Sequence, residues 1–151
     1  MDKKSEKYER IKKQLKPLFI PVRNRQSRMA TTCAVLHHKF PQYFWTGFYF
    51  LTEEAELEVN SYQGPLACLR LKKDSGVCWA GVNQRKTIIV ENVHSFEDHI
   101  ACNPLSKSEI VIPIFKNGNV IGVLDVDSDE ERAFDSIDAK HLEDIIKMVF
   151  E

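Results

Sequence analysis

Three observations predict an α+β fold, with a largely antiparallel sheet of roughly six strands and helices packed on it from both ends of the chain. Apolar residues recur at helical spacing through the first 40 residues. From Tyr43 they change to aromatic and β-branched runs and two-residue alternation. Helical spacing returns as a long stripe only after Asp135.

Each element has its own signal. Tyr8, Ile11, Leu15 and Leu18, spaced 3, 4 and 3, form one apolar stripe, which Pro17 and Pro21 should interrupt or end. Met29, Cys33, Leu36 and Phe40, spaced 4, 3 and 4, form a second. On that stripe Cys33 reads as a buried apolar filler, because a buried thiol without a positive neighbour is inert. Tyr43 to Leu51 is aromatic-rich and reads as a strand. Leu57, Val59 and Ser61 alternate with Glu56, Glu58 and Asn60, giving a second strand that ends at Gly64-Pro65. Ala67 to Leu71 is a short third strand. Asp74-Ser75 can cap a helix that begins at Gly76 and carries Cys78 in its first turn. Thr87 to Glu91 is a β-branched strand, and Asn92 to Leu105 a polar loop holding His94, His99 and Cys102. Ile110 to Phe115 and Val120 to Val126 are strands joined through Asn117-Gly118, a strong hairpin signal. Asp135 or Ser136 caps the last helix, whose stripe is Leu142, Ile145, Ile146 and Val149.

No repeat, low-complexity tract or linker divides the chain, so one domain over residues 1–151 is expected. Its parts are N-terminal helices over 1–40, a sheet with its loops over 43–128, and a C-terminal helix over 135–150. The apolar share of 43% and charged share of 28% are those of an ordinary globule. A net charge of -1 gives no electrostatic footprint for nucleic acid or an anionic membrane. No apolar run reaches the roughly 20 residues of a membrane span, and the N-terminus has no signal-peptide core. A cytoplasmic location is therefore expected, where clustered cysteines are more often catalytic or metal-binding than structural.

Cys68, Cys78 and Cys102 fall within 35 residues, at spacings that fit no zinc finger. Cys102 is the first candidate nucleophile, in a polar loop with His99 and His94 upstream, where an imidazolium would favour the thiolate. Cys78, at a helix N-terminus, could have its thiolate stabilised by backbone N–H groups and the helix dipole. Either Cys68 or Cys78 could resolve a sulfenic acid on Cys102. The competing reading is zinc held by His94, His99 and the cysteines, but it lacks a paired-cysteine knuckle and draws on separate segments. Asp125 and Asp127 share one face of their strand, the face of Val123 and Ile121, and Glu109 could lie beside them. Clustered carboxylates repel, so one can hold a proton near neutral pH and deliver it to an oxygen leaving group. The plainer alternative is a solvated strand end. Trp45 and Tyr49 could wall a pocket for a sulfur-containing ligand, and core packing competes with that role.

Taken in order, these segments resemble the free methionine-(R)-sulfoxide reductases, which are built on a GAF domain. The likeness rests on Trp45-Thr46-Gly47-Phe48-Tyr49, Gln63-Gly64-Pro65-Leu66-Ala67-Cys68, Gly76-Val77-Cys78 and Val93-His94-Ser95-Phe96. It continues through His99-Ile100-Ala101-Cys102, Ser106 to Pro113, and Gly122 to Ser128. The resemblance implies a GAF-like fold and reduction of free methionine-(R)-sulfoxide. In that reading Cys102 attacks the sulfoxide sulfur and is left as a sulfenic acid. Cys68 or Cys78 resolves it to an intramolecular disulfide, recycled by a thioredoxin-type reductant. Glu109 and Asp127 supply the proton, Asp125 holds the substrate ammonium, and Trp45 and Tyr49 wall its methyl-sulfur end. No metal or other cofactor is implied, and a homodimer through the N-terminal helices is. Trp79 departs from the small residue that many members carry after the Gly-Val-Cys cysteine. A non-catalytic, small-molecule-sensing GAF domain is the alternative. It is disfavoured by the three thiols and by a chain that ends near the expected domain boundary.

Overall fold

The computed structural model describes residues 1–96 and 103–151, arranged as six strands and four helices around one sheet. Helices α1 (Lys3–Phe19) and α2 (Arg25–Lys39) lead into strands β1 (Tyr43–Leu51) and β2 (Leu57–Gln63). Strand β3 (Arg70–Leu71) and helix α3 (Gly76–Gln84) precede β4 (Ile88–Val90). Strands β5 (Ser108–Lys116) and β6 (Asn119–Ser128) form the hairpin, and α4 (Ser136–Phe150) closes the chain. The order across the sheet is β3-β2-β1-β6-β5-β4, and every neighbouring pair is antiparallel.

Alternation along the strands gives each face its own core. One face carries Phe48, Ile110, Ile112, Leu124 and Val126 against α1, α2 and α4. The other carries Trp45, Tyr49, Val111 and Val123 against α3. Helix α3 sits close because Gly81 has no side chain: a Cβ there would stand 2.8 Å from the Val111 side chain. The three-helix side is pinned by polar ties. Tyr8 Oη donates to Asp138 Oδ1 at 2.5 Å, and Lys4 pairs with Asp138 at 2.7 Å. Arg28 donates to main-chain carbonyls of Phe19, Val22, Met148, Val149 and Glu151, joining the ends of α1 and α4. Among the described residues no helix is long and apolar enough to cross a membrane.

Several expectations shift. Pro17 lies inside α1, in its last turn, where a missing amide bond costs little. The α1 stripe continues through buried Phe19, while Leu18 is half-exposed; both lie about one turn beyond Leu15, and packing selects the former. The third strand contracts to Arg70–Leu71, so Cys68 stands in the connection before it. Ser75 occupies the cap position of α3 without a side-chain cap bond, and Asp74 accepts from Asn83 instead. Ile121 packs toward the three-helix core, away from Val123, because the β5–β6 register shifts between Ile114 and Phe115. Cys33 is the expected buried filler, its thiol pushed up to about 12 by burial.

Candidate active site

Three adjacent strands deliver the acids to the α3 face. Asp127 of β6 stands opposite Glu109 of β5 on one side and Trp45 of β1 on the other. Two residues along, Asp125 stands between Val111 and Gly47. Asp125 and Asp127 share a face because strand side chains alternate, and Glu109 joins them because cross-strand partners point the same way. Asp125 and Glu109 are 5% and 6% exposed, which rules out a solvated strand end.

Burial pushes all three carboxyl groups well above their ordinary range. The charge of Asp127 adds to it for Glu109, Glu109 for Asp125, and Asp125 for Asp127. Three such groups retain protons between them under conditions where isolated carboxyls would have lost theirs. Cys78 enters from the first turn of α3, buried and a free thiol. The helix N-terminus does not activate it as the sequence suggests. Burial raises its pKa well above the usual thiol value, and the neighbouring carboxylates Asp125, Glu109 and Asp127 reinforce this.

The aromatics form one wall. Trp45 stacks on Tyr49 and Tyr62, with centroids 5.7 and 5.3 Å apart. Gly47 makes room for the indole, since a Cβ there would collide with Trp45 and Tyr62. Their polar ends hold the Cys68 segment: Trp45 Nε1 donates to Pro65 O and Tyr49 Oη to Cys68 O, each at 3.1 Å. Trp79 is buried within the same core, its Nε1 3.4 Å from Leu71 O. Its indole is directed toward β3, so it leaves Cys78 facing the cleft.

These groups line one cleft, which Trp45, Tyr49, Cys78, Glu109, Asp125 and Asp127 share with Ser106. The cleft thus has an aromatic wall, a proton-holding floor and a thiol. Donor atoms of Cys78, Glu109 and Asp125 lie within 4.8 Å of one another, close enough to share a metal ion. Of the zinc ligands weighed from sequence, His94 sits exposed on a short turn, and His99 and Cys102 lie outside the described residues. The nucleophile assigned from sequence is therefore not located here. Ser106 and Tyr62 escape the sequence reading, since Ser106 precedes its strand and Tyr62 reaches the site only through ring stacking.

Comparison with known proteins gives concordant matches. The GAF domain family matches residues 22–146. GAF domain-containing protein A of Dictyostelium discoideum is 47% identical over 146 residues, covering 97% of this chain and 92% of that protein. The free methionine-R-sulfoxide reductase of Escherichia coli is 37% identical over 118 residues, covering 78% and 71%. Among solved structures, free methionine-R-sulfoxide reductase from Neisseria meningitidis in complex with its substrate superposes with a TM-score of 0.94. It is 37% identical, with 99% of this chain and 90% of that one covered.

Proposed function

Because the chain belongs to the GAF-domain family that includes the free methionine-(R)-sulfoxide reductases, we propose that it reduces free methionine-(R)-sulfoxide to methionine through a thiol relay. The observation that carries this reading is the cross-strand row of Glu109, Asp127 and Trp45, which sets proton-holding acids beside an aromatic wall in one cleft. A sulfoxide needs both: its methyl-sulfur end is apolar and polarisable, and its oxygen must be protonated as the S–O bond breaks.

In the proposed sequence the Cys102 thiolate attacks the sulfoxide sulfur while Glu109 and Asp127 supply the proton. The oxygen passes to Cys102 as a sulfenic acid, and methionine leaves. Asp125 holds the substrate ammonium. The Cys68 thiol then attacks the sulfenic sulfur, forming a disulfide and releasing water. Two thiols of a thioredoxin-type reductant restore the dithiol. Per turnover, one sulfoxide and two thiol hydrogens give methionine, water and a disulfide. No resident cofactor is needed, because the thiols supply both electrons.

Cys68 is favoured as the resolving thiol. It stands in the connection that Trp45 and Tyr49 hold, and it is disulfide-bonded where Cys33 and Cys78 are free. Cys78, with its thiolate disfavoured, suits the cleft wall better. A homodimer through the N-terminal helices is also proposed, supported by the exposed Leu18, Ile20 and Val22 around the end of α1; sedimentation tests it.

The decisive experiment incubates the protein with dithiothreitol and each sulfoxide epimer and quantifies methionine. Turnover of the R form is expected, with loss of all activity in Cys102→Ser. No turnover of the R form would defeat the proposal and favour a sensor. Mass spectrometry after one turnover should find Cys68 joined to Cys102, and a Cys78–Cys102 pair would reassign the resolving thiol.

A further inference from the structure

Two buried polar atoms near the acid cluster have no hydrogen-bond partner among the described residues: Ser106 Oγ and Asp125 Oδ1. Ser106 is 6% exposed and lines the cleft with the three acids. Its backbone is fixed by the turn in which its amide donates to Asn103 O at 3.3 Å, three residues before Glu109. The nearby serine of the same segment, Ser108, shows the contrast. Ser108 Oγ donates to Glu130 O at 2.6 Å and accepts from the Ala133 amide at 3.3 Å, so its hydroxyl is structural. Ser106 has no such task. Its hydroxyl stands near enough to Asp127 to favour that group's ionised form, yet makes no hydrogen bond of ordinary geometry.

A buried hydroxyl left unpaired costs about 1–3 kcal/mol, and that cost is recovered when a ligand supplies the partner. A hydroxyl directed into a cleft beside an acid can donate to a ligand oxygen while accepting from the acid. We propose that Ser106 is a substrate-positioning residue whose Oγ–H donates to the sulfoxide oxygen and holds it over the acid floor. This rests on the sulfoxide reductase reading and adds a residue to it.

The test is a binding comparison in a Cys102→Ser background, so that bound sulfoxide does not react. Methionine-(R)-sulfoxide and methionine, which lacks the oxygen, are titrated calorimetrically into this protein with and without Ser106→Ala. Losing one hydrogen bond should weaken sulfoxide binding about tenfold and leave methionine binding nearly unchanged. Ser106→Thr should restore most of the sulfoxide affinity. Removing an unpaired hydroxyl should leave the melting temperature of the free protein unchanged or higher. Equal weakening of both ligands, a lowered melting temperature, or unchanged sulfoxide affinity would each overturn the proposal. Absence of R-sulfoxide turnover in the protein with all its cysteines would strike the parent reading, while the binding comparison would still decide the role of Ser106.

Discussion

Glu109 shows how position changes the protonation of an ordinary side chain. Burial disfavours its charge first, and the carboxylate of Asp127 across the strand pair disfavours it further. The result is an acid able to give up a proton where an exposed glutamate would already have lost it. Glu109→Gln keeps the shape and removes the acidic proton, so kcat/KM for the R-sulfoxide should fall by about 10²–10⁴ in steady-state assays, with KM changing far less. Cys78 obeys the same physics with the opposite consequence, because the surroundings that load a carboxyl with a proton also keep a thiol protonated.

At the scale of elements, the site depends on close approach. Strand β1 offers Trp45, Gly47 and Tyr49 on one face, and the glycine gap lets the indole lie over the sheet. The two aromatics then reach out of the sheet to carbonyls of Pro65 and Cys68. A segment with almost no regular structure is thus held over the cleft by side chains of a strand. Trp45→Phe removes one of these bonds while keeping an aromatic face. It should cost about 1 kcal/mol of stability by denaturant unfolding and speed amide exchange in residues 64–69. Unchanged exchange there would show that the segment is held by other means.

For the molecule as a whole, the acid cluster sets how stability depends on pH. Carboxyls whose folded pKa is raised bind more protons folded than unfolded, so stability falls as pH rises from their ordinary range toward the raised folded values. The contribution is fully present below the unfolded values and is lost as the folded cluster ionises. Thermal melts of the free protein should therefore decline with pH from the acidic side of neutrality. Asp125→Asn, by removing one buried ionisation, should flatten that decline. An equal slope in the variant would place the cause elsewhere.

The sequence by itself determined the element order and the grouping of Asp125 and Asp127 on one strand face. These follow from local periodicity, which a chain carries without knowing its partners. It also singled out Glu109, Trp45, Tyr49 and the three clustered cysteines as the residues of interest. It misread Leu18 against Phe19 and Ile121 against Val123, because neighbouring positions on a stripe differ only in what finally packs on them. Only the tertiary structure decided that Glu109 and Asp125 are buried rather than solvated, that Cys78 sits among the acids with its thiolate disfavoured, and that the Ser106 hydroxyl lines the cleft without a hydrogen bond of ordinary geometry. Those are properties of distance and water exclusion between segments far apart in the chain. No spacing along a sequence encodes them until the sheet, α3 and the 64–69 segment close over one cleft.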